Sequence, residues 1–425
     1  MNSLQDNLGL PGLIPAEKGP PFDLLRRWRE SGDSVHWNPA PAAENYIVQL
    51  NRSSIWGELQ QGFWVLTRYK DVVSRNQKLF SSHVGGPVIW DLEREALAFQ
   101  QAGLMGMAPE QHMKAKRLVT PPFSPKAITE FEPEIGRVAK EIVDSIARRG
   151  ECEFVFDVAS RLPVYTFCTL MGIPDTDREK IFRLGNAMAD VENALTEGER
   201  LTAESDVAPL DELFAYAAWL AEQKRIMPDN SMMSAYVNGD VDGERLTDAQ
   251  IGMFFVTMSI AGHETTRSTA AHFIRLMSEH PDQYALLRSD LETYLPNAID
   301  EVLRFSPPVI QFRRTVTLDT VIGDREVKEG DKLYLSYAAA NRDPEIFDDP
   351  DRFDITRTNA ARHLSFGIGP HICLGARVAK LQLQLLLGQI VRRVPDIAPS
   401  TKPTFLNSIW FSAIVDMPVQ FTAEG

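Results

Sequence analysis

Cysteine is scarce in this chain: Cys152, Cys168 and Cys373 are the only three in 425 residues. A sparse, odd count argues against a disulfide framework and for a reducing compartment, so the expected location is the cytoplasm. Long apolar runs are missing too. No stretch reaches the roughly 18 uninterrupted apolar residues that a spanning helix needs, and the longest tract, near 251–262, is broken by Thr257, Ser259 and Gly262. A membrane anchor is therefore not expected. The N-terminus has neither a basic stretch nor an apolar one, so no signal peptide is expected. Basic charge is in deficit: 44 Lys and Arg stand against 58 Asp and Glu, a formal net charge of −14. Nucleic-acid binders show the opposite balance. No internal repeat or low-complexity linker divides the chain.

What is present is a globular composition, 44% hydrophobic and 24% charged. We expect a single domain over residues 1–425, with a Pro- and Gly-rich extended arm over 1–22. Strand-like alternation marks Tyr46 to Leu50 and Gly62 to Thr67. Residues 83–107, rich in glycine, look like a mobile, partly helical loop. From about 126 to 305 the pattern is mostly helical. One run begins at Asp248, and another from Leu286 to Phe305 is stopped by Pro307-Pro308. Strand signals return at Asp331 to Tyr337. A Pro-, Asp- and Gly-rich segment then leads to a last helix with Leu374, Val378, Leu381 and Leu385 on one face. The chain is mainly α with a minor β portion.

That segment ends in Ser365-Phe366-Gly367-Ile368-Gly369-Pro370-His371-Ile372-Cys373-Leu374-Gly375. Its glycines permit a tight turn with unusual backbone angles. A cysteine at a helix N-terminus meets free N–H groups, so its thiol is expected to ionise easily and to suit a soft metal or haem iron. A buried structural cysteine is the plainer reading of a lone Cys.

The full spacing, Phe366-Gly367-x-Gly369-x-His371-x-Cys373-x-Gly375, resembles the haem-binding signature of the cytochrome P450 family. The resemblance implies a triangular, mainly helical prism enclosing haem b (iron protoporphyrin IX). It implies Cys373 as the axial ligand of the haem iron, and Phe366 and Gly367 against the porphyrin. Ala261-Gly262-His263-Glu264-Thr265-Thr266 lies inside an apolar helix that Gly262 and the threonines weaken. An acid followed by a hydroxyl can relay protons into an apolar pocket. The segment resembles the family's oxygen-activation motif, with Thr265 organising dioxygen and Glu264 feeding protons. A zinc site is ruled out there, because position 267 is Arg and the second histidine is missing.

Glu301 and Arg304 stand at i,i+3, and Pro350-Asp351-Arg352-Phe353 follows downstream. Together they resemble the family's structural triad, made here of Glu301, Arg304 and Arg352. Haem propionates need cationic or donor partners. By family position these are His112, Lys116, Arg314 and His371. Lys116 departs from the usual Arg, and Arg117 is its alternative. Gln382 stands where the last helix often carries Glu.

The resemblance implies a ferredoxin-dependent monooxygenase that inserts one oxygen atom into a C–H bond. The chain carries no flavin or iron–sulfur segment, so electrons are expected from an iron–sulfur ferredoxin and its NAD(P)H-dependent reductase. Arg377 and Lys380 would contribute to the docking face of a monomer. The residues expected over the haem are Thr257, Ile260, Ala261, Val309, Ile310 and Trp410, with Val88, Ile89 and Trp90 joining them. That apolar lining implies a terpenoid, steroid, aromatic or branched lipid substrate. A haem-thiolate peroxygenase or other non-hydroxylating haem protein is the alternative, and the Glu264–Thr265 pair argues against it.

Overall fold

The computed structural model describes residues 21–31, 35–39, 61–73, 79–197, 203–240, 243–406, 408 and 410–425. The expected strand at 46–50 and all but the end of the expected arm lie outside them. Among the described residues, no helix is long and apolar enough to cross a membrane.

Helices dominate. The longest, Asp248–Glu279, has 32 residues and is about 48 Å long. Its start is set by a capping box: the Thr247 hydroxyl accepts from the Gln250 amide at 3.2 Å, and Gln250 Oε1 accepts from the Thr247 amide at 2.9 Å. Gly262 does not interrupt it. The N-terminal part of this helix, with Ile251, Phe254, Phe255 and Val256, lies in one apolar core. The C-terminal part, with Ala270, Phe273, Leu276 and Met277, lies in another. The polar stretch between them is left to face something other than core.

The last helix, Ala376–Arg393, buries Val378, Leu383, Leu386, Leu387, Ile390 and Val391. This face packs on the apolar stripe of Pro125–Ile146, formed by Ile135, Val138, Ala139, Ile142 and Ile146. Leu381 and Leu385, expected on the buried face, flank it half-buried.

A five-stranded sheet is ordered Val35–Asn38, Phe63–Leu66, Lys332–Ser336, Gln311–Val316, Phe80–Ser81. Phe63–Leu66 runs parallel to Lys332–Ser336, with Trp64 opposite Leu333, and the other pairs are antiparallel. Alternation along Gln311–Val316 sends Phe312 and Arg314 to one face and Arg313 to the other. The segment 83–107 contains the helix Arg94–Ala102. It is tied to the sheet by the buried Lys332 ammonium, 2.7 Å from Asp91 Oδ2, and by Arg313, which donates to the Trp90 carbonyl at 2.8 Å.

The structural triad differs from expectation in one member. Arg304 donates to both Glu301 oxygens, at 2.7 and 2.8 Å, and all three of its nitrogens are buried. The third side chain is Arg357, whose Nε lies 3.2 Å from Glu301 Oε1. The Arg352 side chain is 62% exposed beside Asp354. Arg352 contributes its carbonyl instead, which accepts from Arg304 at 3.2 Å and from Arg357 at 3.0 Å. A buried carboxylate needs its lone pairs filled. The Asp354 amide, at 2.9 Å, helps to complete the set on Glu301.

Candidate active site

The polar middle of the long helix faces a cavity of about 250 Å³. Ala261, Gly262, Thr265 and Thr269 form one wall, and Ser365 to Gly367 with Pro370 to Gly375 form the opposite one. A Cβ added at Gly262 would meet nothing within 4 Å, so the helix wall leaves open space for a flat group. Gly367 and Gly369 adopt φ of 70° and 69°, the left-handed region the turn requires. The Cys373 amide closes that turn on the Phe366 carbonyl at 2.8 Å. Asn341 anchors it from behind: its Oδ1 accepts from the Leu364 amide at 2.6 Å, and its Nδ2 donates to Ser365 Oγ at 3.0 Å.

Cys373 is exposed, but its exposure is to this cavity. The surrounding protein pushes its thiol above the ordinary value; the Gly375 and Ala376 amides and the Lys116 charge pull it back only in part. The expected easy ionisation is therefore not met by the polypeptide alone. The helix begins at Ala376 with Gly375 as N-cap, so Cys373 precedes the first turn. Such a thiol fits a ligand that ionises when a cation binds it.

Four basic side chains gather at one edge of the cavity, where it meets an outer cleft of about 920 Å³. The His112 and His371 rings lie 4.3 Å apart. His371 Nε2 bonds Ser82 Oγ at 3.1 Å. Lys116 donates to the Pro370 carbonyl and Arg314 to its neighbour's carbonyl at 2.7 Å. Burial lowers the pKa of all four, and their mutual charges push His112 and His371 further down, His371 to about 3. No carboxylate of the described residues acts on any of them. The set is built for an anion that the polypeptide does not supply, as two propionates would be. Lys116 lines both spaces, whereas Arg117 lines only the outer cleft.

Thr265 Oγ1 lines the cavity while donating to the Ala261 carbonyl at 2.8 Å. Glu264 does not line it. Its Oε2 is held by the Arg267 guanidinium and its Oε1 by Ser268 Oγ at 2.8 Å. Burial alone would push its carboxyl up, but the Arg267 charge and hydrogen bond, with His263 and Ser268, hold it below the ordinary carboxylate value.

Thr257, Ala261 and Val309 line the cavity as expected. Three other expected residues do not. Ile260 packs into the core beside the helix. Ile310 is buried behind the sheet with Phe63 and Tyr334. Trp410 sits with Val88 and Phe411, edge-on to Phe312 at 6.0 Å. Val88 and Ile89 are likewise core, Trp90 packs half-buried against it, and the loop lines the cavity with Pro87, Leu104 and Met105 instead. Sequence reasoning missed Phe312, Leu104, Met105, Phe167 and Tyr337. Strand alternation from Arg314 would have found Phe312.

The description Cytochrome P450 matches residues 163–403. The chain belongs to the cytochrome P450 family. It is 33% identical to a steroid C26-monooxygenase of Mycolicibacterium smegmatis over 414 residues, 95% of this chain and 91% of that one. It is 32% identical to a methyl-branched lipid omega-hydroxylase of Mycobacterium tuberculosis, across 85% of this chain and 84% of that one. A Mycobacterium marinum cytochrome P450 in complex with pseudoionone superposes with a TM-score of 0.84 at 31% identity, covering 94% of both chains. This P450 is a monooxygenase, and haem b is its cofactor. The open helix wall at Gly262, the cavity-facing thiol and the basic cluster without a carboxylate partner fit that group.

Proposed function

We propose that this P450 hydroxylates the branched, apolar end of a steroid side chain or methyl-branched lipid, with electrons from a ferredoxin. The observation that carries this reading is the lining beyond the basic edge. Leu104, Met105, Phe167, Phe254, Met258 and Phe312 are all apolar, and the charged side chains of the lining are confined to the basic edge. Such a wall favours an alkyl group and leaves a carboxylate unpaired. The relatives named for steroid C26 and lipid omega positions act at chain ends, which supports the same choice.

In this reading Cys373 ligates the iron, and His112, Lys116, Arg314 and His371 hold the propionates. When bound, the haem supplies dioxygen binding and reduction, which a thiolate ligand favours at the O–O cleavage step. The apolar wall excludes water and orients the alkyl chain across Thr265. The Thr265 hydroxyl holds a proton at the cavity face. Glu264 replenishes that proton, and must leave Arg267 to do so. Arg377, exposed at the start of the last helix, supplies charge to the ferredoxin dock. Lys380 does not serve there alone, because its Nζ is 2.5 Å from Asp300 Oδ1.

Two measurements test the reading. The reduced, CO-bound protein should show the thiolate-ligated Soret band, and Cys373→Ser should lose it. Titration with a 3-keto steroid carrying a branched side chain should shift the ferric haem toward high spin, and the matching side-chain carboxylate should do so far more weakly. Equal responses to the two would remove the chain-end assignment.

A further inference from the structure

Beneath the cysteine loop, on the side away from the cavity wall formed by the long helix, lies a group of charges that neither the ligand set nor the proton path uses. Asp300 Oδ1 is shared between Lys380 Nζ at 2.5 Å and His363 Nε2 at 3.4 Å. The other ring nitrogen of His363 faces the Ser365 amide at 3.2 Å. A backbone N–H can only donate, so Nδ1 is the acceptor and the proton sits on Nε2, directed at Asp300. Burial, with Lys380 and Arg304, outweighs Asp300 and keeps His363 neutral. The His363 ring lies 5.5 Å from the Phe366 ring, and Lys380 Nζ lies 5.8 Å from that ring's centre. The Phe366 carbonyl in turn receives the Cys373 amide at 2.8 Å. An ion pair therefore abuts the two residues that open the turn ending in the sulfur.

We propose that Asp300, His363 and Lys380 are positioning residues that set the electron-accepting power of the haem through Cys373. The role rests on Cys373 being the thiolate ligand. Reduction of the iron adds one negative charge next to the sulfur. Asp300 is buried and Lys380 is about a third exposed, so a charge left alone beside Phe366 is only partly screened; a cation there favours the reduced form and an anion opposes it. In the intact pair the two charges offset each other. Removing one leaves the other to act.

The test is the ferric–ferrous midpoint potential of the holoenzyme. Lys380→Gln leaves Asp300 uncompensated and should lower the potential. Asp300→Asn keeps an acceptor for His363 but leaves Lys380 uncompensated, and should raise it. The double variant should return toward wild type, and Lys380→Arg should stay there. A merely structural brace predicts loss of thermal stability in each single variant with no opposition in the sign of the potential shifts. Shifts of the same sign, or a Lys380→Arg shift as large as that of Lys380→Gln, would overturn the proposal. Should Asp300→Asn not fold, the two Lys380 variants decide alone, since that side chain is partly exposed. The CO spectrum of wild type separates the two readings. Its thiolate band with same-sign shifts sinks only this role, and its absence removes the ligand and the role together.

Discussion

Arg267 grips Glu264 across one turn of the long helix, and neither side chain faces the cavity that their neighbour Thr265 lines. The acid proposed to deliver protons is thus stored as a buried ion pair. Removing one partner of such a pair costs about 3–5 kcal/mol, because the other charge stays buried alone. Arg267→Met should lower the unfolding free energy by about that amount, and Glu264→Gln in the same background should recover much of it. Chemical denaturation of the three variants measures both. No recovery in the double variant would show that Arg267 stabilises through other contacts.

Thr265→Ala should separate reductant use from product. NAD(P)H consumption continues while hydrogen peroxide accumulates, and Glu264→Gln should slow the whole cycle by about 10²-fold. Oxygen, peroxide and product are quantified together. A tightly coupled Thr265→Ala enzyme would remove that hydroxyl from the proton path.

The two arginines near the triad should behave differently. Arg357→Met leaves Glu301 short of a buried partner and should cost about 3–5 kcal/mol. Arg352→Met removes only an exposed side chain and should cost under ~1 kcal/mol, because its contribution is a carbonyl. Thermal or denaturant unfolding of the two variants gives the comparison.

His272 carries a pH signature that is independent of haem. It is buried, bonded through Nε2 to the Ser412 carbonyl at 2.9 Å, and burial holds its pKa down to about 3. Between the ordinary histidine value and about 3, the unfolded chain takes up a proton that the folded chain refuses. Stability is therefore complete above the ordinary value and falls as the pH drops, by up to ~1.4 kcal/mol per pH unit for this group. His272→Gln should lose less stability than wild type between about pH 7 and about pH 5. An unchanged difference across that range would mean that His272 is protonated in the folded state.

Phe312 and Ile310 provide a contrast in ligand binding. Phe312→Ala enlarges the cavity and should alter the affinity for apolar ligands read by the spin-state shift. Ile310→Val, buried away from the cavity, should cost about 0.5–1.5 kcal/mol of stability and leave ligand affinity alone.

Much of this arrangement was legible from residue order. The glycines around Cys373 announced the turn, Asp248 the start of the long helix, and the resemblance to the family's propionate arginine singled out Arg314. The missed features have specific causes. Arg357 lies in an irregular loop with no period to reveal it, and it meets Arg304 on the carbonyl of Arg352, so the motif pointed five residues away from the charge. The Glu264–Arg267 pair has the same i,i+3 spacing as Glu301–Arg304, so the signal was present, and the acid's fame in the relay motif masked it. Ile260 and Ile310 were misplaced by adjacency. One helical step turns a side chain by about 100°, and residues just before a strand do not yet obey its alternation.

The basic edge of the cavity begins at His112, its roof at Thr257, its sheet wall at Val309, and its sulfur arrives only with Cys373. During synthesis at about 5–20 residues per second, the ribosome must therefore have released the chain through Cys373 before the pocket can close around anything. The parallel pairing of Phe63–Leu66 with Lys332–Ser336 imposes the same delay on the sheet. Cofactor capture is thus a late event in the life of each nascent molecule. The supply of haem and the shielding of half-made apolar faces must both be timed to the emergence of the final helix.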